Sequence, residues 1–209
     1  MNTGAVTLTA RDAADAVRRR GEPTRALAGQ DERIAAACRD MAVRFRRGGR
    51  LLTFGNGAAT ADAAHLAVEF VHPVIVGKRA LPALSLVGDP ATLTGIARRR
   101  GFDDIFAAQL RTQADRDDIA VGISADGACT NVARALTEAA GRGLLTVALV
   151  GGDGTGAVVA TPGLDHLLVV RSTDPAIVKE LHVTIYHVLW ELAHVFLEQT
   201  EDRRAGAGR

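Results

Sequence analysis

A chain of 209 residues, 47% of them apolar and 23% charged, has room for one α/β domain with its own core. A formal net charge of +1 and 4% aromatic residues exclude an electropositive nucleic-acid surface, a basic membrane patch and recognition by base stacking. Two cysteines, Cys38 and Cys129, are too few for a disulfide framework; with no membrane-length apolar run and no signal-peptide core, a reducing, cytoplasmic setting is expected.

Residues 9–20 and 24–47 read as two helices split by Gly21 and Pro23. In the second, Leu27, Ile34, Cys38, Met41 and Phe45 recur at helical spacing, and Gly48-Gly49 stops it. Five short apolar segments follow, at 51–54, 83–87, 119–123, 145–150 and 167–170, with helical patterns between them. That alternation predicts an α/β fold: a single doubly wound, five-stranded parallel sheet with helices on both faces and ligands at the carboxyl ends of the strands. A last helix is expected over about 175–199, capped by Thr173-Asp174 with Pro175 in its first position. The chain therefore divides into an N-terminal helical segment, 1–48, serving packing or oligomerisation, a domain over 49–199, and a polar, Gly-rich tail over 200–209 expected to be disordered. Leu181, Ile185, Val188, Leu189, Leu192, Val195 and Phe196 give the last helix a broad apolar surface, suited equally to the sheet and to a second copy.

The first strand breaks at Gly55-Asn56-Gly57 and enters a helix carrying Asp62, His65 and Glu69 at i, i+3 and i+7, on one face. Strand, glycine turn, helix N-terminus and converging ionisable groups together make a small-molecule site. His65 alone also suits a hydrogen-bonded core position, and His65 with Glu69 a surface pair. Asp62 is placed to orient the glycine turn. His182 faces away from His187 and reads as structural, while His72, His166 and His194 have no partner pattern. Dinucleotide chemistry is excluded because the Gly55-Asn56-Gly57 turn lacks a third glycine at the required spacing. The run Gly151-Gly152-Asp153-Gly154-Thr155-Gly156 lacks the Lys-Ser/Thr of a phosphate loop.

Further motifs follow in order: Gly101-Phe102-Asp103-Asp104-Ile105-Phe106; Gly122-Ile123-Ser124 with Gly127 and Asn131; Gly151-Gly152-Asp153-Gly154; and Glu180-Leu181-His182 with His187. With the glycine turn and its helix, these make residues 25–199 resemble the sugar isomerase (SIS) domain, specifically the phosphoheptose isomerase family. The resemblance implies a flavodoxin-like SIS fold, a homotetramer with sites at subunit contacts, and interconversion of sedoheptulose 7-phosphate and a heptose 7-phosphate through an enediol. It implies Glu69 and His187 as the catalytic acid/base pair, and Asn56, Gly57, Ala58, Ser124, Asp126, Asn131 and Lys179 as substrate-binding residues. Some members hold zinc between a histidine and a glutamate of the first helix and a glutamine and a histidine of the last. That implies a metal site of His65, Glu69 and His187, with Lys179 standing where the glutamine is expected. The implied partners are a sugar or sugar phosphate and further copies of the chain.

The chain departs from the family where the phosphate is held. The first loop reads Gly57-Ala58-Ala59, with no hydroxyl before Thr60, and in the second loop Ala125, Asp126 and Cys129 stand in place of hydroxyl residues. Asp126 is expected to act as a helix N-cap, occupying amides that a phosphate would use and repelling a second anion. Compensating cations are expected from Arg98-Arg99-Arg100, either a solvated loop or a run reaching an anionic ligand across a subunit contact. Lys179 is the other, pairing with Asp126, Glu69 or the substrate. Three functions remain open on these residues: an isomerase, an enzyme for a different acyclic sugar, and a non-catalytic protein that binds a carbohydrate derivative or acts as an assembly scaffold.

Overall fold

The computed structural model describes the backbone of residues 9–207 and the side chains of residues 9–199. Five strands, β1 (Leu51–Gly55), β2 (Ala83–Ser85), β3 (Ile119–Ser124), β4 (Leu145–Gly152) and β5 (His166–Arg171), form one parallel sheet in the order β2-β1-β3-β4-β5. Every residue of β1 and β3 is buried, as continuous apolar runs in a sheet covered on both faces must be. The chain steps from β1 outward to β2 and then returns past β1 to β3, in register Leu51↔Ile119 to Gly55↔Ile123. That reversal makes the β1/β3 boundary the topological switch point, where the loops after the two strands diverge and leave a crevice.

The helices are α1 (Ala10–Arg18), α2 (Gly21–Ala28), α3 (Asp31–Arg46), α4 (Ala58–Val71), α5 (Pro90–Arg100), α6 (Ala107–Gln113), α7 (Thr130–Gly141) and α8 (Pro175–Ala207), with a 3-10 turn over Phe102–Asp104. The helix expected over 24–47 is two helices, broken at Gly29-Gln30. The break has a tertiary cause. Gln30 Nε2 donates to the Val169 carbonyl (2.7 Å) and Gln30 Oε1 accepts from Val169 N–H (3.0 Å), so one side-chain amide completes the free edge of β5. The closing helix continues past residue 199 to Ala207, through helix-favouring glutamate, arginine and alanine, where a disordered tail was expected. Residues 1–8, 208 and 209 lie outside the described residues.

Helix α3 packs on α8 and on β4 and β5, and its Ala37, Cys38, Met41 and Ala42 are fully buried in the same apolar cluster as the strands. The N-terminal helices thus complete the sheet's own core, and Phe45 stacks on Phe70 of α4 at 5.4 Å. Burial pushes the Cys38 thiol up to about 12, leaving it an inert apolar group. Arg98, Arg99 and Arg100 form the last turn of α5, not a loop: the helix stops only at Gly101, whose φ of +88° admits glycine. At the other end of β4, a Cβ on Gly151 would lie 2.1 Å from the Ala125 carbonyl oxygen, so the β3 loop and α8 close over this strand only because it ends in glycine. Among the described residues no helix is long and apolar enough to cross a membrane.

Candidate active site

Helix α4 starts where β1 ends, the turn being made by Gly57 at φ +55°. Asp62, His65 and Glu69 face α8, which presents Lys179, Tyr186 and His187 back to them. Two levels result. At the lower one, Glu69 Oε1 lies 2.9 Å from His65 Nε2 and 3.9 Å from His187 Nε2. His65 Nδ1 is 2.8 Å from the Tyr186 hydroxyl. One donor atom from each of His65, Glu69 and His187 lies within 4.8 Å of the others. Glu69 is buried, whereas the side chains of His65 and His187 are each 46% exposed, so the carboxylate is held under two solvent-facing imidazoles. The rings of His65, Tyr186 and His187 meet edge to face, with centroids 4.9–5.5 Å apart. A cavity of about 240 Å³ opens beside them, lined by Glu69, Val74, His187, Trp190 and Glu191. Burial, reinforced by the negative charges of Asp62 and Glu69, pushes the Tyr186 hydroxyl up to about 12.

At the upper level Lys179 Nζ donates to the Ala58 carbonyl oxygen (3.0 Å) and to Asp62 Oδ1. Within the fold its carboxylate partner is therefore Asp62, not Asp126 or Glu69. Lys179 and His187 are eight residues apart on α8, as Asp62 and Glu69 are seven apart on α4, so about 10 Å of helix rise separates the ammonium from the Glu69 level. Asp62 has only 3% of its side chain exposed, and the lysine is the charge that neutralises it. We expect Lys179→Met to lower unfolding free energy by about 1–3 kcal/mol, since it leaves a buried carboxylate unpaired. Adding Asp62→Asn should restore most of the loss; urea denaturation of the single and double variants measures both.

The other residues implied in substrate binding sit at the carboxyl ends of β1 and β3, on either side of the switch point. Asn56 and Asn131 exchange amide hydrogen bonds with each other at 2.7 and 2.9 Å, which ties the β1 turn to α7. Ser124 Oγ accepts from Gly127 N–H (3.0 Å), and Asp126 Oδ1 accepts from Ala128 N–H (2.9 Å) and from the Ser124 hydroxyl (3.3 Å). Asp126 is not the N-cap of α7. Cys129 holds that position without a side-chain bond, and Asp126 instead closes a turn within the loop. The consequence for an anion is the one expected of a cap: the amides of Gly127 and Ala128 are already bonded. A second carboxylate, Asp103, accepts from Thr130 Oγ1 (2.6 Å) at the first residue of α7. Gly57 and Ala58 are exposed at the rim.

His182 is buried one turn above Tyr186, and burial pulls its imidazole down to about 4, which keeps it neutral. His166 pairs with Asp40 (2.9 Å), His194 bridges the Trp190 and Arg79 carbonyls, and His72 ends α4. None of these four joins the cluster. The residue that sequence reasoning missed is Tyr186, the only tyrosine of the chain. Its signal was spacing: it follows Lys179 by seven residues, two turns along the same stripe.

A family model described as "SIS domain" matches residues 15–151. A phosphoheptose isomerase of Solidesulfovibrio magneticus is 43% identical over 166 residues, covering 79% of each chain. One from Pelobacter propionicus is 42% identical over 148 residues, or 71% of this chain and 77% of that protein. Among solved structures, a phosphoheptose isomerase from Francisella tularensis superposes with a TM-score of 0.82 at 29% identity, covering 90% of this chain and 99% of that one. Another, from Neisseria gonorrhoeae, gives 0.79 at 28% identity, covering 88% and 97%.

Proposed function

Since this chain belongs to the SIS domain family and, within it, to the phosphoheptose isomerases, we propose that it interconverts sedoheptulose 7-phosphate and an aldoheptose 7-phosphate. The observation that carries the reading is the meeting of Glu69 and His187, from two different helices, at the edge of one cavity. Isomerisation moves a proton between adjacent carbons while a carbonyl and a hydroxyl exchange places. Glu69 takes the proton from the hydroxyl-bearing carbon and returns it to the former carbonyl carbon. His187 donates to the carbonyl oxygen as the enediol forms and removes the proton from the neighbouring hydroxyl as it collapses. Each partner ends the cycle in the protonation state in which it began.

Zinc fits the lower level in part. Two imidazole nitrogens and one carboxylate oxygen are its preferred donors and leave a position open, whereas the Lys179 ammonium is no ligand and is bound elsewhere. When bound by His65, Glu69 and His187, the ion would polarise the sugar carbonyl. We read the chain as a cytoplasmic homotetramer. Support comes from the unpaired thiols of Cys38 and Cys129 and from the exposed apolar side chains of Val68, Val71, Val74, Ile75, Val76 and Leu84, of which Val74 lines the cavity. Light scattering with size exclusion tests the assembly.

A coupled assay of the purified protein on sedoheptulose 7-phosphate tests the activity. A wild-type rate no faster than those of Glu69→Gln and His187→Ala would overturn the reading. Asp126→Ser is expected to tighten sugar-phosphate binding several-fold, because it removes a like charge and frees the Ala128 amide for the ligand. Equal or weaker binding in calorimetry would refute that electrostatic argument.

A further inference from the structure

We propose that the cavity between α5 and α6 is a second ligand site, which takes a small phosphate monoester on the guanidinium groups of Arg99, Arg100 and Arg111. The cavity measures about 530 Å³, a size suited to a metabolite, and shares no lining residue with the one beside Glu69 and His187. A glycine opens it. Gly95 stands in the middle of α5, where glycine is the least favourable residue after proline. Its backbone needs no positive φ, and a Cβ built on it would meet no neighbouring atom within 4 Å. Neither conformation nor packing within the chain therefore calls for glycine here. What the missing side chain does is leave one wall of the cavity open.

Charge sets the ligand class. Arg99 has no hydrogen-bond or ion-pair partner among the described residues. Arg100 only approaches Asp104 Oδ2, at 3.6 Å, beyond hydrogen-bond reach. Arg111 bonds Asp104 and Glu138 through its terminal nitrogens, which leaves its Nε–H. The corner as a whole carries Arg98, Arg99, Arg100, Arg111 and Arg134 against Asp103, Asp104 and Glu138, a surplus of two positive charges on a chain of formal net charge +1. A phosphate monoester carries two negative charges above its second pKa, near 6, and its oxygens match the guanidinium fork. The Thr92 hydroxyl donates to Asp89 Oδ2 (2.5 Å), at the far end of α5, and the Thr112 hydroxyl to the Ala108 carbonyl (2.9 Å). The arginines are thus the donors for an anion, and the two threonine oxygens remain as acceptors for the hydroxyls of an ester. Ile96 and Ala108 give its carbon chain an apolar wall.

The site does not depend on the isomerase reading, and a protein without isomerase activity would leave it untouched. Calorimetric titration of the purified full chain with inorganic phosphate, at pH 8 and low salt, is expected to show saturable binding that weakens as ionic strength rises. Arg99→Gln should weaken it about tenfold, the size of one charge-assisted hydrogen bond. Gly95→Leu keeps every charge and fills the open wall. It should weaken binding by at least as much, with a melting temperature no lower than wild type, because leucine is the better helix former. Glu69→Gln, altered only in the other cavity, should bind phosphate as wild type does. Glycerol 3-phosphate and sedoheptulose 7-phosphate identify the source of the ester. Binding of both that is lost in Gly95→Leu assigns a general phosphate-ester site, and such binding of sedoheptulose 7-phosphate alone assigns a second place for that sugar; either upholds the proposal. No saturable phosphate binding in wild type overturns it, as does binding undiminished in Gly95→Leu, which would be diffuse attraction or binding elsewhere. A changed oligomeric state of Gly95→Leu in light scattering also overturns it, since the glycine would then serve contact with another copy.

Discussion

Glu69→Gln is expected to lower kcat by about 10²–10⁴-fold, the usual range for loss of a positioned base, with a much smaller change in KM. The substitution is nearly isosteric. Its amide carries both a donor and an acceptor, so the 2.9 Å contact with His65 Nε2 can be kept while the basic oxygen is lost. Folding should not suffer, because a buried neutral amide is easier to desolvate than a carboxylate. A melting temperature near that of wild type would separate lost chemistry from lost structure. Solvent isotope gives a second reading. In deuterated water the wild type should incorporate deuterium at the carbon that gains the proton, because the base exchanges with solvent while the enediol persists. The variant should incorporate it only as fast as it turns over. A variant with wild-type turnover would remove Glu69 from the mechanism altogether.

How much of this was legible in the residues depends on the range of the interaction that decides each feature. Parallel strands showed as apolar runs such as 119–123, which the strand Ile119–Ser124 matches to within one residue, because burial on both faces leaves no polar alternation to misread. His65 and Glu69 showed through their own helical spacing, and they do bond. The break at Gln30 did not show, since its cause is the edge of β5, 139 residues away. Asn56 and Asn131 looked like ligand-facing amides, and only the fold brings them into a mutual pair 75 residues apart in sequence. The Lys179 partner was likewise hidden. One stripe of α4 offers both Asp62 and Glu69, and the choice follows from α4 and α8 running the same way, which levels Lys179 with Asp62 and His187 with Glu69. Asp126 failed for a local reason: an aspartate just before a helix serves as a cap or as a turn, and here the bond to Ala128 two residues on selects the turn.

Asp104→Asn should cost about 2 kcal/mol at neutral pH, or roughly 4–8 °C in melting temperature for a chain of this size. The carboxylate is 3% exposed in the turn between α5 and α6, and three guanidinium groups converge on it. Arg111 donates to Oδ2, Arg134 Nε lies 3.2 Å from Oδ1, and Arg100 approaches Oδ2 at 3.6 Å. These arginines come from α6, α7 and α5, so one side chain ties three helices together, and the variant leaves their charges facing each other. The cost stays at the lower end for a buried pair because the arginines are 31–59% exposed and partly screened. The pH dependence has a definite sign. Burial alone pushes the Asp104 carboxyl up; the Arg111 hydrogen bond and the charges of Arg111, Arg134 and Arg100 outweigh it and hold the group below the ordinary value of 3.8. A carboxyl that binds its proton less tightly folded than unfolded stabilises the fold above its unfolded pKa, near 3.9, and loses that contribution as pH falls through the lower folded value. The gap between wild type and Asp104→Asn should therefore be full at pH 7, begin to close below pH 4, and vanish once the folded carboxyl is protonated. Thermal melts of both proteins down that series test it, and an offset that stayed constant to the acid end would mean that packing, not charge, sets the role of Asp104.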